Sequence, residues 1–423
     1  MEKYGKLAFS LVALASVMHM SVPSDSALAA GLPLRSAAGP TTPHRGALDP
    51  SFGNAGRVVT KSPPSTCSGS TEAAALQSDG KIIVAGCSSQ GPRLIRYLSD
   101  GLLDPSFGTG GIDQVHLPNT GLNAVALQSD GKVVIAIETA LQSGGFATSG
   151  VARLTSNGSL DKTFGNGGFA NVQSPLQLGM GHSLVVQSDG RIVIDAFRPG
   201  NAPIEDIGLA RFLASGTLDS TFGHNGVTLI PNLFASVSGL AVAQDGTLDA
   251  LINSGFPGYA VHFSASGTFI EAPPSGNLAV ITPAFNRMTF QPDAKIIGAS
   301  LISRSSGGFV ERFTRYNSTD PTFQTPFLSS YAFTLIAEPS GGILVAGEST
   351  GGTQRFAVQR FNPNGSADAG FGSGGIVETT FATRSAIVAQ LLVQPDGKIV
   401  AVGSAFDSST GTSNVALARY FGP

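Results

Sequence analysis

Tryptophan is absent from this chain of 423 residues, cysteine occurs twice, and charged residues make up only 13%. An average soluble domain carries roughly 25% charge. The net charge of −3 leaves no basic excess to neutralise a phosphate backbone, so nucleic acid is not an expected partner. After the first twenty residues no apolar run approaches the ~20 residues a helical span needs, and no transmembrane segment is expected. Enzymatic signatures are missing too: no G-x-S-x-G, no H-E-x-x-H, no Walker loop and no dinucleotide fingerprint. His44, His116, His224 and His262 fall at unlike positions, so neither a metal site nor a cofactor is expected.

What the chain has in excess is glycine, 54 residues, and a tetrapeptide that recurs. Gln-x-Asp-Gly stands at Gln77-Ser78-Asp79-Gly80, Gln128-Ser129-Asp130-Gly131, Gln187-Ser188-Asp189-Gly190 and Gln394-Pro395-Asp396-Gly397. Weaker copies begin at Gln244, Gln291 and Glu338, giving seven units spaced 47–59 residues apart. A period of this size filled with short β-like runs marks a propeller array.

The second unit displays the plan. Residues 123–128 form an apolar strand, Asp130-Gly131 reads as a two-residue hairpin turn, and 132–137 is β-branched. A loop, a third strand at 150–155, an Asn157-Gly158 turn and a fourth strand at 168–172 complete four antiparallel strands, one propeller blade. The chain enters on a fourth strand (56–60) and leaves on a third (416–421). The expectation is an all-β, seven-bladed propeller over 48–423, closed by exchange of the N-terminal strand into the last blade. Closure of this kind removes free sheet edges.

Two further elements recur. Leu-Asp-x-x-Phe-Gly-x-x-Gly begins at Leu48, Leu103, Leu160 and Leu218, with degraded copies around Asp320 and Asp368. Leu and Phe are read as wedges between blades and Asp as an acceptor of local backbone N–H groups. One carboxylate per repeat is too few for calcium. A third-strand arginine recurs at Arg96, Arg153, Arg211, Arg315, Arg360 and Arg419, four of them eight residues before a linker aspartate. One unit has His262 and Ile270 in those places. The reading is one Arg–carboxylate pair per blade.

These elements, together with Gln-x-Asp-Gly-Lys-Ile-x-x-x-Gly and Ala-x-Arg-Tyr/Phe-x-x-x-Gly, resemble the delta-sixty repeat family of bacterial β-propeller proteins over about 48–423. The resemblance implies an exported or surface propeller and names no molecular activity. Absence of Trp separates the chain from WD-repeat and quinoprotein propellers, whose repeats are built around it.

The N-terminus reads as a cleaved secretory signal over 1–29: Lys3 and Lys6, an apolar stretch at 7–20, then Ala27-Leu28-Ala29. Residues 30–47 read as a disordered lead-in. Export places the protein in the periplasm, outside the cell or on its surface. There Cys67 and Cys87 are expected to form a disulfide.

Long, variable loops (61–71, 138–149, 197–207, 303–308, 404–414) share one face of such a ring, and binding usually resides in such loops. The channel mouth on that face is lined by Glu72, Asn123, His182, Asn286, Arg287 and Gln390, with Glu205 and Asp206 in a loop above. Asp195 stands where other second strands carry Ala. A two-residue turn at Asp189-Gly190 sets Leu184 opposite Asp195 and leaves His182 its diagonal neighbour, the pattern of a carboxylate-oriented general base. No nucleophile stands beside the pair. The first expectation is a monomeric, non-catalytic exported propeller binding a protein or glycan through the variable-loop face. The alternatives are a hydrolase or lyase using His182 and Asp195 with Glu72, and a structural module of the envelope.

Overall fold

The structure, a computed structural model, describes residues 43–423 apart from 62–72, 89–90, 116–119, 140–147, 173–182, 199–205, 231–235, 244, 254–257, 271–286, 292, 294, 304–306, 314–319, 324–326, 329, 350–352 and 383–384. Among the described residues every regular element is a β-strand, and the strands form seven antiparallel four-stranded sheets. The inner strands are Ala73–Leu76, Thr120–Leu127, Leu184–Val186, Ser236–Val242, Arg287–Phe290, Ser330–Ala337 and Ser385–Val393, defining blades 1 to 7. Each inner strand touches the next around the circle, and that of blade 1 touches that of blade 7, so the sheets form a closed ring.

Blade 3 shows the build: Leu184–Val186, Ile192–Arg198, Asp206–Phe212 and Val227–Ile230 pair in sequence order. Its second strand alternates between two seams. Ile192 and Ile194 pack toward blade 2, whereas Val193 packs toward blade 4. A sheet buried on both faces needs apolar residues at successive positions, which explains the near-continuous Ile/Val/Ala runs of the second strands.

Each Gln-x-Asp-Gly hairpin has a three-residue loop, not the two-residue turn expected. In blade 3, Gln187 N–H donates to Arg191 O at 2.8 Å, and Gly190 is at φ 83° while Asp189 is not in the left-handed region. A type I′ turn needs positive φ at both central residues; a type I turn followed by one left-handed glycine needs it once. The register shifts by one residue in consequence, and Leu184 faces Ile194.

The last blade is assembled from both ends of the chain. Ser385–Val393, Ile399–Asp407 and Thr412–Tyr420 come from the C-terminus, and Arg57–Thr60 adds the fourth strand, pairing Arg57 with Ala418 and Thr60 with Val415. The junction extends further back than the strand. In blade 3 the turn after the third strand is continuous: Leu213 N–H donates to Thr217 O, and Gly216 N–H to Leu213 O, both at 2.8 Å. In blade 7 the same turn is cut. Phe421 N–H donates to Ala47 O at 2.9 Å, and Gly46 N–H returns to Phe421 O at 2.8 Å. Gly46 sits at φ 81°, and a Cβ there would lie 2.7 Å from Gly372 N, so glycine is required. Residues 45–47, expected in the disordered lead-in, are therefore built into the ring, because a broken turn needs its missing half from elsewhere.

Candidate functional site

The recurring side chains converge on the face that carries the hairpin turns. Arg153 is buried, and its Nε donates to Asp161 Oδ2 at 2.9 Å while its Nη1 donates to Ala214 O of blade 3 at 2.6 Å. Its guanidinium lies 4.5 Å above the Phe164 ring, a cation–π contact. Asp161 uses its other oxygen to accept the Thr163 amide and hydroxyl. Burial alone would raise this carboxyl, but the Thr163 hydroxyl and amide and the Arg153 guanidinium together hold it below the ordinary carboxylate range. Gly165 follows at φ 51°, where a Cβ would lie 2.0 Å from Phe169 O.

The same clamp joins Arg96 to Asp104 and Ser156 O, Arg211 to Asp219 and Ala265 O, and Arg312 to Asp320 and Pro363 O. In blade 7 Arg419 takes Asp49 and Ser99 O, so this clamp joins the two ends of the chain. Arg312, not Arg315, fills the role in blade 5; Arg315 lies outside the described residues. The signal was present, since Arg312 also stands eight residues before its aspartate. At the junction of blades 6 and 7 Arg360 binds both Asp368 and Glu338, and Arg45 of the N-terminal segment joins Asp368. The motif glutamines add a second tie: Gln128, Gln291 and Gln394 donate to Gly190, Gly341 and Gly80 carbonyls of the following blades.

Opposite this face, four inner strands carry a bulge near the channel mouth, between Leu122 and Ala124, Val237 and Gly239, Ala332 and Thr334, and Val388 and Gln390. Asn123 is the bulged residue of blade 2, and its buried Nδ2 makes no hydrogen bond. Bulges re-aim a side chain and recur near functional sites. Gln390, half-buried, sits one residue past the bulge of blade 7, and Arg287 holds the matching place in blade 5, facing Ala299. In the sequence Glu72, His182 and Asn286 stand, like Asn123, five residues before their motif glutamines; they and Glu205 lie outside the described residues. Asp206 opens the third strand of blade 3.

Asp195 is buried, and the corrected register sets it opposite Ser183 rather than Leu184. The Ser183 amide donates to its carboxylate, while Asp195 N–H donates to Ser183 O at 3.2 Å. Ser183 Oγ in turn donates to Val237 O of blade 4 at 3.3 Å. The structure thus gives Asp195 a local backbone donor; the His182 pairing lies outside the described residues. Cys67 likewise lies outside them, and Cys87 falls in the strand Ile82–Ser88.

Sequence reasoning passed over one buried carboxylate–imidazole pair. His262 Nδ1 is 2.5 Å from Asp249 Oδ1, directly across the second and third strands of blade 4. Away from the clamps, burial lowers the half-buried Arg93 guanidinium, which lies near Tyr97, and raises the Glu311 carboxyl. Among the described residues no group of three His, Cys, Asp or Glu side chains is placed to hold a metal ion. No helix among them is long and apolar enough to cross a membrane. Of the five variable loops, 404–414 is described throughout; it is a hairpin that extends the strands of blade 7 and presents Phe406, 47% exposed.

Fold and clamp together define the chain as a seven-bladed β-propeller repeat protein. The model of a family described as "Domain of unknown function (DUF5122) beta-propeller" matches residues 77–107, 128–164, 187–222, 338–371 and 394–421. No curated protein matches the chain. Solved structures similar to it include a protein of unknown function from Bacteroides caccae at 11% identity and TM-score 0.39, covering 73% of this chain and 99% of that one. Another is the polysaccharide lyase Uly1, at 11% identity and TM-score 0.48, covering 83% and 89%. A third is a luciferin-regenerating enzyme, at 11% identity and TM-score 0.41, covering 83% and 91%.

Proposed function

We propose that this chain is an exported propeller of the delta-sixty repeat type that binds a protein or glycan through its variable-loop face. One observation carries the reading: the recurring clamp arginines, linker aspartates and wedge phenylalanines are buried and committed to one another and to carbonyls of the neighbouring blade. The charged groups that repeat around the ring are thereby spent on its own structure. Recognition then falls to residues that differ between blades, such as Asn123, Gln390 and Phe406 on the opposite face. Phe406→Ser and Gln390→Ala are expected to weaken partner binding more than tenfold on a glycan array or in a purified-partner assay, leaving the melting temperature unchanged. Binding lost instead on Asp130→Asn, an exposed turn-face residue, and kept in those two variants would overturn the reading.

Export carries the disulfide with it. Cys67 and Cys87 would close a loop of about twenty residues, worth about 3 kcal/mol in the chain-entropy model. Thiol titration of the unreduced, denatured protein is expected to find none; two reactive thiols reject the bond.

A second reading is a channel-sited hydrolase or lyase, supported by the burial of Asp195 beside the channel mouth. The register that sets Asp195 opposite Ser183 removes the diagonal placement of His182, so this reading needs a bulge at His182, like that at Asn123, to turn the imidazole toward Asp195 and leave its other nitrogen free to take a proton. On this reading His182→Ala and Asp195→Asn each abolish turnover of a polysaccharide or ester substrate while the circular dichroism spectrum is kept. Turnover surviving both changes removes it.

A further inference from the structure

Asn-Gly steps stand at 157–158, 166–167, 225–226 and 364–365, all within the described residues. Glycine has no side chain to shield its backbone nitrogen, so that nitrogen can approach the side-chain carbonyl of a preceding asparagine. Attack requires an N–H that is not already donating and an asparagine amide that is free to turn. The four steps differ in both respects.

At three of them the glycine is buried and its N–H is spent. Gly158 N–H donates to Thr155 O at 3.0 Å, Gly226 N–H to Phe222 O at 2.8 Å, and Gly365 N–H to Asn362 O at 2.9 Å. Two of the asparagine side chains are held as well. Asn157 Oδ1 accepts the Thr155 hydroxyl and the Ser159 amide, and Asn364 Oδ1 accepts the Ser366 amide and hydroxyl.

The step at Asn166-Gly167 is built differently. Asn166 N–H donates to Phe169 O at 2.7 Å across a turn whose central residues, Gly167 and Gly168, sit at φ 64° and 108°. Positive φ at both central residues makes this a type I′ turn, which leaves the N–H of the first one outside its hydrogen bonds. Asn166 and Gly167 are both exposed. Among the described residues neither the Gly167 N–H nor the Asn166 side chain has a hydrogen-bond partner, and a Cβ on Gly167 would meet nothing within 4 Å.

We infer that Asn166-Gly167 is a site of spontaneous covalent modification, where Asn166 is converted to aspartate and isoaspartate. Gly167 N gives up its proton to solvent and bonds to Asn166 Cγ. The Cγ–Nδ2 bond breaks, ammonia leaves with the proton it needs from water, and a five-membered succinimide remains. Water then opens the ring: addition at Cγ gives aspartate, and addition at the main-chain carbonyl gives isoaspartate. No oxidant or reductant takes part. Isoaspartate routes the main chain through Cβ and Cγ, which lengthens the backbone and adds a negative charge. Its neighbour has no slack to absorb the change. Gly165 N–H donates to Ser215 O of blade 3 at 2.8 Å, and a Cβ on Gly165 would lie 2.0 Å from Phe169 O. Modification therefore falls on a tie between blades 2 and 3 and loosens it as the protein ages. The inference is independent of the identity of any ligand.

The folded full chain is incubated in mildly alkaline buffer at 37 °C and digested, and the peptides carrying each Asn-Gly step are followed by mass spectrometry. Conversion at Asn166 is expected at least tenfold faster than at Asn157, Asn225 or Asn364. In denaturant, where every glycine N–H is released, the four rates should lie within severalfold of one another. Equal rates in the folded chain, faster conversion at another step, or an undiminished preference for Asn166 in denaturant overturns the inference. The loosening is read separately. Asn166→Gln, whose longer side chain cannot close the five-membered ring, should keep its melting temperature through the incubation while that of the native chain falls. Equal falls in the two chains, or no fall in the converted native chain, reject a strained tie between blades 2 and 3.

Discussion

A chain that begins at Lys61 is expected not to fold into a stable ring. Removing residues 43–60 takes the fourth strand from blade 7 and leaves the third strand an open edge along 415–418. It takes Phe52, fully buried against Tyr97, Val400 and Leu417, and truncating a core phenylalanine alone costs about 3–5 kcal/mol. It takes Asp49, stranding the buried Arg419, and breaking a buried ion pair costs a similar amount, about 3–5 kcal/mol. It also takes Arg45 from Asp368 and the half-turn that caps Phe421. These losses share neighbours and do not simply add. Their scale nonetheless reaches the roughly 5–15 kcal/mol that holds a whole domain together. Thermal melts followed by circular dichroism should show no cooperative transition above 37 °C. A truncated chain melting within a few degrees of the full one shows that the N-terminal strap is dispensable.

The seven blades were legible because the turn that joins the first two strands of each must place a glycine at positive φ, and that demand writes Gln-x-Asp-Gly repeatedly. The arginine–aspartate clamp was legible for the same reason, since its partners keep a fixed spacing across one turn. Smaller geometric choices were not. Asp-Gly is compatible with both a two-residue and a three-residue hairpin, and the difference moved Asp195 from Leu184 to Ser183. Arg312 was legible and was passed over for Arg315: it stands eight residues before Asp320, as the other clamp arginines stand before theirs, and the strand register agrees. Residues 45–47 carry the composition of a linker, yet they complete a turn whose other half lies at the far end of the chain, at Phe421. His262 was noted in the arginine position, but its pairing with Asp249 was missed because the two lie on separate strands with no local motif. The chemistry of the inner-strand openings was not legible: Asn123 occupies the bulge of its strand, and the equivalent places in the sequence hold a different residue in nearly every blade.

Arg153→Ala should destabilise the ring by roughly 3–5 kcal/mol, because it leaves Asp161 buried without its guanidinium. For a domain of this size that is a fall of about 4–7 °C in melting temperature. Three contacts go at once: the ion pair to Asp161, the reach to Ala214 O, and the stack on Phe164. Lys132, 3.7 Å from Asp161 and partly exposed, offsets little of this. Arg153→Lys keeps the charge but cannot make the fork, and should recover less than half of the loss. Acid provides an independent check. Asp49, Asp104, Asp161, Asp219 and Asp320 are all held below the ordinary carboxylate range in the folded ring. A group with a depressed folded pKa stabilises above its unfolded value, about 3.9, and that stabilisation drains away as the pH falls further toward the folded value. The native protein should therefore lose stability steeply below about pH 4, as five clamps are protonated together. In Arg153→Ala the Asp161 carboxyl moves back up, so the acid slope should be shallower by the share of one clamp. An unchanged melting temperature, or an acid slope identical to that of the native chain, would show that the repeated arginine contributes register without stability.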